Sequence, residues 1–138
     1  MERIHFTDIE PKTAKAIFND SLRSALKGVI REDDYLLRLP RIEGVDGLEI
    51  GSFHKCDELR EELEQRRISG KQISAITKTL GLFCGKGVTV GKLRRMPDSE
   101  VLEINVMREN RIDGIGIRRL LILRLLFGYE EDKLFALD

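Results

Sequence analysis

The stretch from Gln65 to Met96 contains eight basic residues and not one Asp or Glu. Residues 1–64 carry ten basic and fifteen acidic side chains, and the chain from Pro97 onward carries six and nine. The formal net charge of zero therefore conceals a strongly positive centre between two acidic flanks. A local positive field attracts polyanions even when the whole protein is neutral. We therefore expect the central basic segment, residues 65–97, to carry the function.

The length of 138 residues indicates a single domain, 1–138, with one hydrophobic core. The N-terminus lacks the basic region and apolar run of a secretory signal. The apolar stretch from Ile115 to Phe127 is too short to span a membrane, and it carries three arginines. Two cysteines in a chain without a signal favour reduced thiols. We therefore expect a cytoplasmic protein that makes no membrane contact.

Three helices are predicted from apolar spacing and helix-end signals. Apolar residues recur at three- and four-residue intervals from Pro11 to Arg31. From His54 to Arg67 the acidic residues precede the basic ones, which suits a helix dipole. Ser69 and Gln72 then match a capping box, and the following apolar stripe ends at Gly81, a candidate C′ glycine. The sequence therefore predicts a central pair of helices separated by a tight break.

Several other segments admit more than one interpretation. Glu2 to Ile9 alternates loosely, as a short strand does, and the glycine-punctuated stretch from Tyr35 to Phe53 suggests a hairpin or two edge strands. Val101 to Met107 alternates at period two but follows a helix-start signal. Val88 to Met96 fits a glycine-rich loop, a β-ribbon or a short third helix. The expected fold class is α+β, mainly helical, with a central helix pair and a glycine-rich basic loop.

The leucine-rich segment Ile115–Phe127 also has two interpretations. A possible cap at Asp113 and a glycine exit at Gly128 favour a helix, whereas a hairpin through the GYEED turn is the alternative. A helix here would point its three arginines in different directions. Such a helix must be largely buried, either against the core or in a homodimer interface through residues 115–127.

The segment from Gln72 to Leu82 resembles the first half of a helix-turn-helix DNA-binding unit. The resemblance implies that Asp57–Arg67 supports this helix and that Val88–Met96 is presented to DNA. Thr77 stands where a small residue is usual, and the link from Phe83 to Gly87 is longer than usual. The candidate nucleic-acid-binding residues are basic except for one threonine, a possible base contact: Arg66, Arg67, Lys71, Lys78, Lys86, Thr89, Lys92, Arg94 and Arg95.

Other chemistries are less well supported by the sequence. The Gly85–Lys92 stretch fails as a P-loop on spacing and because Leu93 replaces the Ser/Thr that holds magnesium, although an anion-binding nest of backbone N–H groups remains possible. The spacing of the His and Cys residues (His5, His54, Cys56 and Cys84) matches no common zinc module. We therefore expect no metal and no cofactor.

The C-terminal third, interpreted as three strands, distantly resembles RelE/ParE-type toxins. That resemblance implies an RNA-cleaving enzyme with Arg118, Arg119 and Arg124 at the scissile phosphate. The preferred interpretation is instead a non-enzymatic nucleic-acid-binding protein that regulates transcription, with DNA favoured over RNA. A subunit that docks its basic segment on an acidic partner protein is the alternative from another class.

Overall fold

A computed structural model describes residues 4–8, 34–108 and 111–129 of the chain. The predicted helix pair lies at its centre. Helix α1, Asp57–Gln65, begins with acidic residues and buries Leu59 and Leu63. Arg67 has a φ of 62°, which turns the chain into helix α2, Gly70–Gly81. Both predicted helices are confirmed.

The capping box at the start of α2 is present with both of its hydrogen bonds. The Gln72 N–H donates to Ser69 Oγ at 3.2 Å, and the Ser69 N–H donates to Gln72 Oε1 at 3.1 Å. Two of the N–H groups that a helix start leaves without intrahelical partners are thereby satisfied. The hydroxyl and amide at this spacing therefore position the first turn of α2.

The end of α2 differs from the prediction. Gly81 is the last helical residue, and the positive φ angles fall later, at Gly85 (75°) and Gly87 (69°). Gly81 is instead a close-contact site, because a Cβ there would lie 2.9 Å from His54 Nδ1. That nitrogen lies 2.8 Å from the carbonyl oxygen of Thr77, so the imidazole packs on the last turn of α2.

The segment after the glycine loop is a short helix, α3, Val90–Arg95. Of the three alternatives for residues 88–96, the short helix is therefore correct. The Thr89 hydroxyl caps α3 by accepting a hydrogen bond from the Lys92 N–H at 3.1 Å. Helix α4, Asp98–Leu102, follows, and the strand Asn105–Arg108 comes next. Residues 101–107 are thus divided. The helix-start signal applies to residues 101–102, and the alternating pattern applies to residues 105–107.

The strands form two separate antiparallel pairs among the described residues. Strand β1, His5–Asp8, lies beside β2, Pro40–Glu43, with Phe6 opposite Ile42. Strand β3, Asn105–Arg108, lies beside β4, Arg111–Gly114. The short strand expected between Glu2 and Ile9 is therefore confirmed as β1.

The segment 35–53, expected to form a hairpin or two edge strands, contains a single strand. Two 3₁₀ helices, Asp34–Arg38 and Ile50–Lys55, occupy its ends. The single strand between them, β2, pairs with β1 instead, because β1 supplies the hydrogen-bond partners along its length. The helix predicted from Pro11 to Arg31 lies outside the described residues.

The leucine-rich segment forms helix α5, Ile117–Phe127. The helical interpretation is confirmed and the hairpin alternative is wrong. The helix begins after Gly116 rather than Asp113, which lies in β4, and it ends at Gly128, whose φ is 76°. Residues 120–129 are buried within the core of this one chain, so the core accounts for the apolar character without a second subunit.

The core gathers residues from 35 to 129 into one hydrophobic cluster. Phe53 of the second 3₁₀ helix and Phe127 of α5 meet there with ring centroids 5.5 Å apart. The fold is α+β and mainly helical, as predicted. Within the described ranges, the structure contains no helix that is both long and apolar enough to cross a membrane.

Candidate functional site

A groove of about 690 Å³ runs between α2 and the first turns of α5. Of the described residues that line it, four are basic and none is acidic. The α2 wall and the α5 wall each contribute two of the basic residues. The lining consists of Lys71, Ser74, Ala75, Lys78 and Thr79 from the first wall and Gly116, Arg118, Arg119 and Ile122 from the second.

The α2 wall follows from helix periodicity. Lys71, Ser74, Ala75 and Lys78 are spaced three and four residues apart, so they share one face of the helix, while Ile73, Ile76 and Leu80 are buried in the core. Lys71 and Lys78 are exposed and lie about 10 Å apart along the helix axis at 1.5 Å per residue. The sequence pattern that buries one face of α2 therefore presents both lysines on the other.

The α5 wall is the start of the most buried helix in the described chain. Arg118 is exposed and Arg119 is half-buried, whereas Ile122 is buried. Gly116 supplies no side-chain cap, and the positive end of the helix dipole adds to the field of the two arginines. The groove thus combines a partly apolar floor with positive charge on both sides.

The structure joins two sets of residues that the sequence kept apart. Lys71 and Lys78 belong to the predicted nucleic-acid-binding segment, while Arg118 and Arg119 were noted only through the toxin resemblance. They are about 40 residues apart in the chain, and no local motif connects them. The detectable signal was the presence of two consecutive arginines at the start of a leucine-rich helix, because charged side chains are mostly exposed unless they are paired.

Two predicted site residues have internal ionic roles instead. The half-buried Arg66 forms salt bridges with Asp8 at 2.8 Å and with Glu62 at 3.1 Å, which ties β1 to α1. Arg94 lies 3.3 Å from Asp46 and donates to the carbonyl oxygen of Tyr129 at 3.2 Å. Both guanidinium groups are engaged in holding elements together.

The remaining predicted site residues do not line the groove. Thr89 is the cap of α3, and Lys92 and Arg95 are exposed on that helix. Arg67 is exposed at the turn between α1 and α2, and Lys86 is exposed in the glycine loop. The basic segment is therefore distributed over several surfaces, of which the groove is the one where α5 adds further positive charge.

The geometry of α3 bears on the helix-turn-helix interpretation. Recognition helices present their N-terminal residues to base edges. Here the loop at residues 46–49 covers that end: the Val90 N–H donates to Leu48 O at 2.8 Å, and the Gly91 N–H donates to Asp46 O at 3.0 Å. The helix also has only six residues. Among the described surfaces, the basic groove is therefore a better candidate interface than α3.

The three-stranded arrangement behind the toxin resemblance is wrong in its middle segment. Residues 117–127 form helix α5 rather than a strand. Arg124, one of the three arginines transferred by that resemblance, is fully buried. The third segment, KLFALD, lies outside the described residues.

Arg124 organises a buried polar cluster at the far end of α5 from the groove. Its Nε donates to Asp98 Oδ1 at 2.8 Å, its Nη1 to Leu93 O at 2.8 Å and its Nη2 to Met96 O at 2.5 Å. The guanidinium lies 4.2 Å from the ring centroid of Tyr129. The cluster therefore fastens α5 to the end of α3 and the start of α4.

The tyrosine of this cluster has a perturbed acidity. Its hydroxyl donates to Asp98 Oδ2 at 2.8 Å. Burial, followed by the negative charge of Asp98 and this hydrogen bond, raises the pKa of Tyr129 above its ordinary value. A protonated tyrosine in this position stabilises the packing of α5.

A second cavity, of about 460 Å³, has a mixed lining. It includes Arg41, Glu43, Asp46, Arg94 and Phe127. Two of its basic groups donate to carbonyls at the C-terminal end of α5: Arg41 to Leu125 at 3.1 Å and Arg94 to Tyr129. Opposite charges balance one another here, so this cavity offers less to an anion than the groove does.

The two cysteines, Cys56 and Cys84, are free thiols, as expected. Within residues 4–8, 34–108 and 111–129, no three His, Cys, Asp or Glu side chains come together as a metal site. No protein-family model, curated protein or solved structure matches the chain.

Proposed function

We propose that the protein binds nucleic acid through the basic groove and acts as a DNA-binding regulator. The observation that carries this proposal is the pairing of Lys71 and Lys78 on one wall with Arg118 and Arg119 on the other. Lysine and arginine neutralise phosphates and release their condensed counterions, which is the main source of affinity for a nucleic-acid backbone. We propose DNA in preference to RNA.

The spacing of the cations supports a polymeric ligand over a single anion. Lys71 and Lys78 are about 10 Å apart along α2, and each strand of duplex DNA carries one phosphate per about 3.4 Å of helix axis. The two lysines therefore span roughly three base-pair steps and can contact different phosphates of one strand. The α5 arginines lie on the opposite wall, where they extend the contact.

The test compares two double variants that remove the same charge from different surfaces. Lys71→Gln with Lys78→Gln alters the groove, and Lys92→Gln with Arg95→Gln alters α3. Binding to a fluorescent DNA duplex is measured by anisotropy over a range of salt concentrations. We expect the groove variant to reduce the slope of log affinity against log salt by about two, and the α3 variant to leave it nearly unchanged.

The same measurement separates the alternatives. Equal losses from both variants would indicate a diffuse positive field, and a loss confined to the α3 variant would assign the interface to α3. Either result would be contrary to the proposal. No binding to DNA or RNA at low salt would overturn nucleic-acid binding altogether. Polyglutamate bound as tightly as DNA would favour the acidic-partner alternative.

A further inference from the structure

We infer that the groove recognises the phosphate backbone of duplex nucleic acid and does not read base sequence. This inference rests on the proposed function and specifies its ligand class. Direct readout requires side chains that reach base edges with paired donors and acceptors, most often Arg, Asn or Gln. Among the described residues that line the groove, none is Asn or Gln.

The polar groups on the α2 side are engaged or of the wrong type. Gln72, the amide of this helix that suits adenine, is held in the capping box by its side-chain oxygen. Thr79 is fully buried, and its hydroxyl donates to Ala75 O at 3.0 Å. Lys71, Lys78 and the exposed Ser74 remain. Flexible ammonium groups act as point charges on phosphates, and a serine hydroxyl does not discriminate among bases.

The α5 side supplies two guanidinium groups, which can in principle read guanine. Arg118 and Arg119 are consecutive, so their side chains leave the helix about 100° apart. They therefore start in different directions along the wall of the groove. In addition, Arg119 is only half exposed. This arrangement distributes charge along a wall, as a backbone contact requires.

The residues that line the groove also disfavour the binding of single-stranded nucleic acid. Proteins that bind single-stranded nucleic acid stack its bases on aromatic side chains within a basic channel. None of the described residues that line the groove is aromatic. Without stacking platforms, an unpaired strand gains only phosphate contacts and presents them with less regular spacing than a duplex does.

The experiment uses the full chain and fluorescent duplexes of equal length composed of A·T pairs only, G·C pairs only or mixed sequence, together with one matching single strand. We expect dissociation constants within about threefold among the duplexes, whereas sequence-specific proteins bind a duplex that contains their site at least about 10³-fold more tightly than other DNA. The single strand should bind several-fold more weakly.

A charge-conserving variant, Arg118→Lys with Arg119→Lys, provides the matched control. Backbone binding predicts that its affinity for every duplex stays within about threefold of the wild type, because the charge is retained. A selective loss of G·C binding in this variant would show guanine readout and overturn the inference. A preference of more than about 100-fold for one duplex, or tighter binding of the single strand, would also overturn it while leaving nucleic-acid binding intact. No binding to any probe would overturn both proposals.

Discussion

At the scale of single residues, Arg124 shows how a charged side chain becomes part of a core. It is fully buried, but each terminal nitrogen donates to a main-chain carbonyl and its Nε donates to Asp98. The two carbonyls belong to Leu93 and Met96 at the end of α3. A positive charge interacts favourably with the helix dipole there. The guanidinium is thus paired and hydrogen-bonded, as a buried charge must be.

We expect Arg124→Met to lower the free energy of unfolding by about 3–5 kcal/mol, because Asp98 and buried carbonyls lose their partner. Urea denaturation followed by circular dichroism measures this change. Arg118→Met is the control, since it removes an exposed rather than a buried arginine from the same helix and should lower stability by much less than Arg124→Met does. Similar losses from both variants would contradict the structural role assigned to Arg124.

Tyr129 makes the stability of the folded protein depend on pH in the alkaline range. Its pKa is raised in the folded state by burial and by Asp98. Above the unfolded value of about 10, the unfolded state therefore binds fewer protons than the native state, and stability falls as pH rises. Below a pH of about 10, the contribution of Tyr129 to folding stability is fully present.

The prediction is that Tyr129→Phe flattens the decline in stability above about pH 10. Tyrosinate absorbance gives an independent measurement, because the ionisation of Tyr129 should be delayed until the wild-type protein unfolds. Identical alkaline profiles for the variant and the wild type would refute this account.

At the scale of elements, the second 3₁₀ helix packs closely on the turn that follows α2. The close approach occurs at Gly51, where a Cβ would lie 2.8 Å from both Cα and N of Cys84. Because those atoms belong to the backbone, no side-chain rotation can relieve the contact. The glycine therefore determines how near the 3₁₀ helix comes to the end of α2.

We expect Gly51→Ala to destabilise the protein by about 1–3 kcal/mol through overpacking. Gly47→Ala is the matched control, since a Cβ there would meet no atom within 4 Å, and it should change stability by no more than about 0.5 kcal/mol. Thermal denaturation of the two variants tests the difference. If Gly51→Ala proved as stable as the control, the 3₁₀ helix would have room to move away.

At the scale of the whole molecule, one apolar cluster joins elements that are distant in the chain. Ile76 of α2 and Leu123 of α5 are both fully buried in it. The groove lies above this shared core, so its two cationic walls are held together by packing beneath them. Among the described residues, no acidic side chain lines the groove, although the formal net charge of the whole chain is zero.

Ile76→Ala and Leu123→Ala should each lower stability by about 2–5 kcal/mol and shift one common transition. Far-UV circular dichroism and tyrosine fluorescence should then give the same midpoint for each variant. Separate transitions, with only one signal displaced by each substitution, would show that α2 and α5 belong to independent units.

The sequence by itself determined the features that depend on neighbouring residues. The Ser69–Gln72 box predicted the start of α2, the acid-to-base order predicted α1, and Gly128 marked the exit of α5. Each rests on interactions within a turn or two of helix, so a short window of sequence contains the necessary information. The mainly helical α+β class followed from the same signals.

Only the tertiary structure decided which distant residues the locally predicted elements contact. It paired β2 with β1 rather than with a neighbouring strand, and it made Gly81 a contact site for His54. It drew Arg66 and Arg94 into internal ion pairs, and it brought Lys71 and Lys78 opposite Arg118 and Arg119. These outcomes depend on contacts between residues far apart in the chain, because burial and charge pairing are settled by three-dimensional packing and leave no local pattern.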